Sequence, residues 1–450
     1  MKIKDLTPTK IVQQLDKYII GQSNAKKSVA IAMRNRWRRL QISGELQKEI
    51  TPNNIILIGP TGVGKTEIAR RLSQISNSPF VKVEASKFTE VGYVGRDVEA
   101  MVRELLDVAI NQLKSQMSEE VKSKALENAK ERILDILIPM PKIDVDDVES
   151  EESRDRYFRT RDKLSKMLDE GKLDDREIEV VITDKQPQFE LLTNIGMDNI
   201  DLNIGEMLSG IIPGKKKKKN NKMKIPEALK YFIKEESERL VPKDKVVNEA
   251  KKLVEENGII FIDEIDKIAS SGPKQNNDIS RSGVQRDLLP IVEGSNVPTK
   301  YGIINTSHIL FISAGAFSVS KPSDLIPELQ GRFPIRVELN SLQKEDFIKI
   351  LKYPKNSLIK QYMALFLTEN VDLTFDNDAI SLIAEFAETA NEKMEDIGAR
   401  RLHTIMNTLL QDYLFDLPES KLSEINITVD EVTEKLSSLI EDEDLSRYIL

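Results

Sequence analysis

The chain of 450 residues contains no cysteine. Disulfides and thiolate metal ligands are therefore excluded, and the composition fits a reducing compartment. Histidine is almost missing too. The two present, His308 and His403, stand far apart in sequence, so a histidine-built metal site is not expected. No apolar run approaches the length of a membrane-spanning helix. The opening Met1-Lys-Ile-Lys-Asp-Leu-Thr-Pro lacks the apolar stretch of a signal peptide, which makes the cytoplasm the expected location. An excess of positive charge is also lacking. The formal charge of −8 argues against a generally basic nucleic-acid binder, although a local basic patch is compatible with it. Aromatic residues are only 5%.

Against these absences stand 40% hydrophobic and 31% charged residues, the balance of a charge-rich globular protein. The length allows two or three domains. The first segment reads as helix, turn, helix, with Gly21 as a stop. Arg34, Arg36, Arg38 and Arg39 crowd the second helix. They suggest phosphate or nucleic-acid binding, but the preferred reading is the blander one, a solvated helix face with ion pairs. A compact α/β pattern follows. Asn54–Ile58 and Phe80–Glu84 read as strands, and apolar positions from 98 to 113 recur at helical spacing.

From about 111 to 245 the character changes to a charged, mostly helical insertion. Its five-lysine run, 215–219, is expected to repel itself and stay a solvated loop. The α/β pattern then resumes with Gly258–Ile262, His308–Ser313 and the weaker Ile335–Leu339. Alternating strands and helices predict a parallel, doubly wound sheet shared by residues 1–110 and 246–340. Residues 341–450 read as mainly helical, with one strand candidate at Ile425–Val429.

Two motifs carry chemistry. Gly59-Pro-Thr-Gly-Val-Gly-Lys-Thr66 matches the full P-loop pattern, with a strand before it and a helix after it. Its glycines let backbone N–H groups face phosphate oxygens, and the helix adds its positive end. Lys65 would reach the β- and γ-phosphates, and Thr66 would bind Mg²⁺. The second motif, Ile259-Ile-Phe-Ile-Asp263-Glu264, ends a buried strand in two carboxylates, where α/β sheets place ligands. Asp263 can hold Mg²⁺ through water, and Glu264 is placed to polarise an attacking water. Asp266 suits a structural or helix-start role. Arg332 and Arg400 could meet γ-phosphate charge or be plain surface arginines. The Gly92-Tyr93-Val94-Gly95 loop, from its residues alone, reads as a turn whose tyrosine packs inward.

Together these motifs resemble the AAA+ ATPases, and within them the ring-forming unfoldases that serve a separate peptidase. The likeness spans nearly the whole chain and includes Asp16–Gln22, Arg34–Arg39, Phe88–Gly95, Val284–Pro290, Asp324–Arg332 and Asp444–Leu450. The insertion sits where that family carries an intermediate domain, and residues 341–450 where it carries a helical lid. The resemblance implies a homo-hexameric ring with ATP at subunit boundaries. It implies that Ile20 lines the adenine pocket and that Gly62, Val63, Gly64, Lys65, Thr66 and Glu67 wrap the phosphates. Arg332 would then be an arginine finger acting on a neighbour's γ-phosphate, with Glu328 nearby, and Arg400 a second sensor. Many relatives place Asn or Thr after the fourth strand as a first sensor. This chain departs from that pattern, its strand ending Ile312-Ser313-Ala-Gly, with Ser313 as the candidate substitute. Tyr93 would grip unfolded or tagged protein substrates in a central pore. Tyr448, Ile449 and Leu450 would dock a peptidase of the HslV type.

No protease motif is visible, so cleavage would belong to that partner. A Clp-type unfoldase with an N-terminal zinc module is the nearest rival. It fits poorly, because there are no cysteines and residue 59 already begins the P-loop. A nucleic-acid motor rests only on the arginines at 34–39. A scaffold that binds ATP without turnover has no need of Glu264 or Arg332. Neither membrane nor nucleic acid is expected as a partner.

Overall fold

A computed structural model describes residues 5–88, 97–139, 149–183, 218–269, 276–417, 419 and 422–441. The chain forms two compact units. One comprises Met1–Leu113 with Val247–Leu450, and the other Lys114–Val246.

The described strands are β1 (Ile55–Ile58), β2 (Phe80–Glu84), β3 (Glu177–Thr183), β4 (Lys218–Lys224), β5 (Ile259–Asp263), β6 (Asn296–Thr299), β7 (Gly302–Asn305), β8 (Leu310–Gly315), β9 (Ile335–Glu338), β10 (Asp372–Phe375) and β11 (Glu424–Ile427). Five of them build the main sheet of the first unit, all parallel, in the order β2-β5-β8-β1-β9. Their residues alternate between two apolar clusters, as strand periodicity requires. Ile55 and Leu57 of β1, Ile259 and Phe261 of β5, and Leu310 and Ile312 of β8 face one cluster. Ile56, Ile260, Ile262 and Phe311 face the other. A sheet buried on both faces reads as continuous apolar runs, which is why these strands are recognisable in the sequence.

Helices Pro8–Asp16, Ser23–Leu40 and Lys65–Ser76 cover the first face. Helices Ala100–Glu120 and Asn276–Glu293 contribute apolar residues to the second, among them Leu105, Leu106, Val284 and Leu288. The segment after 341 belongs to the first unit as well. Phe347, Leu351, Ile383 and Leu402 lie in the same apolar cluster as Ile55 and Leu57. Its strand at 424–427 was expected near 425–429. Its partner β10 was not expected, because a four-residue strand with one deeply buried leucine, Leu373, gives little periodic signal. The hairpin β6–β7 was likewise not anticipated.

In the second unit, helices Lys122–Leu137 and Ile225–Leu240 enclose Ala129, Ile133, Ala228 and Phe232, with Ile178 and Val180 of β3. Glu236 is buried there and accepts a 2.7 Å bond from Arg132. The end of the lysine-rich stretch departs from the expected solvated loop. Lys218–Lys224 pairs antiparallel with β3. Cross-strand neutralisation supplies the reason: Lys222 lies 3.7 Å from Glu179, its register partner, and Lys224 lies 3.0 Å from Asp175. The earlier lysines of the run lie outside the described residues.

Candidate active site

The P-loop leaves the C-terminal end of β1 and enters the helix Lys65–Ser76. Gly59, Gly62 and Gly64 all adopt positive φ, at 150°, 76° and 101°. A Cβ on Gly62 would lie 1.9 Å from the carbonyl oxygen of Ile397, and one on Gly59 2.5 Å from that of Leu339. Glycine is thus required twice over, by conformation and by the close approach of other backbone. The second approach is reciprocal. Gly398 has φ +57°, and a Cβ there would meet Gly62 and Thr61 at 2.7 Å. Ala399 N–H donates to the Gly62 carbonyl at 3.2 Å. The loop and the 397–400 turn therefore interlock through two facing glycines.

Lys65 is buried and donates to the Gly59 carbonyl and, at 2.7 Å, to that of Pro60. Burial lowers its pKa, and the negative fields of Asp263 and Asp266 oppose that effect. Thr66 Oγ1 donates to Asp263 Oδ2 at 3.3 Å. The two motifs, almost 200 residues apart, thus meet side chain to side chain. Lys82 of β2 also reaches the same carboxylate oxygen, at 2.7 Å, because Glu84 and Asp263 are in register across β2 and β5. Glu264 sits in the left-handed region, φ 55°, and its carboxylate accepts Ser86 Oγ at 3.1 Å. A positive φ on a non-glycine residue beside a carboxylate pair is the sort of strain that concentrates at functional sites. Asp266 accepts Phe317 N–H at 3.3 Å, and its carbonyl accepts Ser320 Oγ at 3.2 Å, so it shapes the loop after β8.

A cleft of about 360 Å³ opens beside the loop. Ile20, Gly62, Val63, Gly64, Glu67 and Arg400 line it, together with Tyr18, Ile19, Leu342, Leu358, Gln361 and His403. Its apolar side suits a flat base and its loop side an anion. Neighbouring contacts fix the wall. Lys26 is buried, 2.5 Å from Asp16, and donates to Ile19 carbonyl. Gln22 exchanges two hydrogen bonds with the backbone of Asn340. Glu67 pairs with Arg70 and Arg71, and Arg71 stacks 3.8 Å from the Tyr18 ring. The lining from 342 to 403 was not foreseen apart from Arg400. It comes from a segment with no motif of its own, brought in by the chain path.

Arg332 and Glu328 do not join this cleft. Both are exposed on the short helix Pro327–Arg332. Arg332 pairs with Glu293 at 2.7 Å, and Asn54 donates to its carbonyl. The fully buried Gln285 sets that helix: it donates to Ile268 carbonyl at 2.6 Å and accepts Ile326 N–H at 2.7 Å. Ser313 also lies apart from the cleft. It is buried in β8, and its hydroxyl has no hydrogen-bond partner among the described residues. Gly92–Gly95 and Tyr448–Leu450 lie outside the described residues.

Two neighbouring hard oxygens, from Thr66 and Asp263, fit Mg²⁺, an ion that keeps several waters and phosphate oxygens as ligands. Among the described residues no group of three acidic or histidine side chains would enclose a metal by itself.

Residues 55–188 match the model of the ATPase family associated with various cellular activities (AAA). Residues 184–336 match that of the AAA domain (Cdc48 subfamily). At full length the chain is 52% identical to the "ATP-dependent protease ATPase subunit HslU" of Desulfotalea psychrophila, covering 99% of both sequences. It is also 52% identical to the protein of that name from Thermosipho africanus, with the same coverage. The chain belongs to the HslU family of AAA ATPases. It is an ATPase by class, and the HslU likeness extends through the insertion and the C-terminal segment as well as the nucleotide-binding core.

Proposed function

We propose that this chain is the motor subunit of a homo-hexameric, cytoplasmic ring that hydrolyses ATP with Mg²⁺, unfolds protein substrates and threads them into an HslV-type peptidase. The observation that carries this reading is the interlock of Gly62 with Gly398. It makes the wall of the nucleotide cleft continuous with the C-terminal helices, so a change at the phosphates is felt outside the sheet. The relatives' name, a protease's ATPase subunit, supports the peptidase partner. Among the described residues no helix is long and apolar enough to cross a membrane.

In this reading Ile20 and its neighbours hold the adenine, and residues 62–67 wrap the phosphates. Lys65 leaves its two carbonyls for the β- and γ-phosphates. When bound, Mg²⁺ would neutralise charge on the same phosphates from a position beside Thr66 and Asp263. Glu264 accepts a proton from the attacking water, with Ser86 holding the carboxylate in place. Arg332, exposed on its own helix and away from its own cleft, acts across the boundary on a neighbour's γ-phosphate, with Glu328 beside it. Positive charge placed there stabilises what develops in the transition state. Arg400, at the start of the helix that follows Gly398, reports nucleotide to the lid. Tyr93, between Gly92 and Val94-Gly95, contacts substrate, since an aromatic offers area without demanding a sequence. Tyr448, Ile449 and Leu450 dock the peptidase.

The test is reconstitution with an HslV-type peptidase and a folded, tagged substrate. Cleavage that requires both proteins and ATP is expected. ATP turnover with no cleavage of any folded substrate would refute the proposal.

A further inference from the structure

Of the arginines at 34–39, Arg38 is exposed as a solvated face requires, but Arg36 and Arg39 are buried. Arg34 stacks 3.7 Å from the Trp37 ring and donates to Leu6 carbonyl. Arg36 turns inward and is only 5% exposed. It donates to the carbonyls of Asn257, Glu256, Gly258 and His308 at 2.8–3.2 Å. Those oxygens end the helix Lys243–Asn257 and lead into β5 and β8, and a cation suits a helix C-terminus. Carbonyls supply partial charges, however, and no full negative charge.

Arg39 is buried beside it. Glu256 is the acid whose field reaches Arg39. Burial and Arg39 push the Arg36 guanidinium down to about 9, and burial with both arginines holds His308 below its usual value. Two polar atoms here, Arg36 Nε and His308 Nδ1, are buried with no hydrogen-bond partner among the described residues. Arg36, Arg38, Arg39 and His308 line one cleft of about 340 Å³ with Asn35 and Asn53, and among the described residues no carboxylate lines it. The field of Glu256 offsets the burial of Arg39, whereas Arg36 is met by carbonyls. A buried cation held on partial charges is costly, and a water molecule would satisfy hydrogen bonds without supplying a counter-charge.

We propose that this cleft is a binding site for a small oxyanion of the phosphate class, held by Arg38, Arg39 and His308 with the charge of Arg36 behind them. Guanidinium forks match phosphate oxygens in geometry, and the asparagine amides can add neutral donors. A nucleic-acid strand fits less well, because Arg34 is engaged with Trp37 and Leu6 and Arg36 lies inside.

The two histidines allow a direct test, since His308 lines this cleft and His403 lines the nucleotide cleft. Histidine-labelled full-length protein is saturated with a non-hydrolysable ATP analogue, then titrated with phosphate or with chloride at matched ionic strength. Both imidazoles are followed by NMR. A saturable phosphate-specific change at His308 is expected, with its titration midpoint moved upward and His403 unchanged. Arg39→Gln should weaken the apparent affinity about tenfold or more. The exposed Arg38→Gln, a gentler change should Arg39→Gln fail to fold, should also weaken it. The proposal is overturned if His308 shows no saturable change, if chloride acts as phosphate does, if only His403 responds, or if a folded Arg38→Gln protein binds phosphate like the parent. A response that only a long nucleic-acid strand elicits would also overturn it.

Discussion

Replacing Gly398 by alanine isolates the contact between the P-loop and the C-terminal turn. Two costs arise. The left-handed conformation, φ +57°, penalises a Cβ by about 1–2 kcal/mol. The new methyl would also sit 2.7 Å from the Gly62 carbonyl carbon and the Thr61 oxygen, where ordinary contact begins near 3.4 Å. Both neighbours are backbone, so the turn or the loop must retreat by about two-thirds of an ångström. Ala399 N–H then loses its 3.2 Å bond to Gly62, and the cleft wall carrying Arg400 and His403 moves with it. Misplacement on this scale costs up to about a hundredfold where phosphates are held by geometry. Binding of a fluorescent ADP analogue is expected to weaken about tenfold or more, with kcat for ATP lowered as well. Gly44→Ala provides the control. Gly44 has φ +86° with nothing within 4 Å of an added methyl, so it incurs the conformational cost alone. It should lower Tm and leave nucleotide affinity intact. If Gly398→Ala binds ADP like the parent, or if Gly44→Ala weakens binding equally, the interlock does not set the nucleotide cleft.

Glu264→Gln should keep ATP affinity and lower turnover by about a hundredfold or more; filter binding beside a phosphate-release assay checks this, and normal turnover would remove the base assignment. Arg332→Ala should lower ring ATPase by about a thousandfold while each chain still binds nucleotide. Mixed rings with Glu264→Gln subunits would show whether the arginine acts in trans, and unchanged activity of the Arg332→Ala ring alone would end the finger role. Tyr93→Ala should retain ATPase activity and fail to unfold a stable tagged substrate, so unimpaired unfolding counts against the pore loop. Removing residues 444–450 should abolish stimulation of the peptidase while ATP hydrolysis persists. Full stimulation by the shortened chain would exclude the tail as the docking element.

The sequence alone determined what depends on local pattern. The three inner strands β1, β5 and β8 are legible because a parallel sheet buried on both faces demands apolar runs, as in Ile259–Ile262, whereas the edge strands β2 and β9 alternate apolar and polar residues and give the weaker signal. The P-loop is legible because its glycines answer a backbone demand that no other residue meets so cheaply. Short elements escaped for the converse reason. The pairings β10–β11 and β6–β7 rest on four-residue strands, and the hairpin of β3 with β4 depends on cross-strand charge pairs that no single segment displays.

Only the tertiary structure decided which distant residues meet. It set Thr66 against Asp263 and placed Lys82 on the same carboxylate. It brought Ser86 to Glu264, and Gly398 against Gly62. It also turned Arg36 and Arg39 from an apparent surface stripe into a buried pair. Helical spacing says which side a residue occupies, but whether that side meets water, carbonyls or another cation depends on what the rest of the chain packs against it.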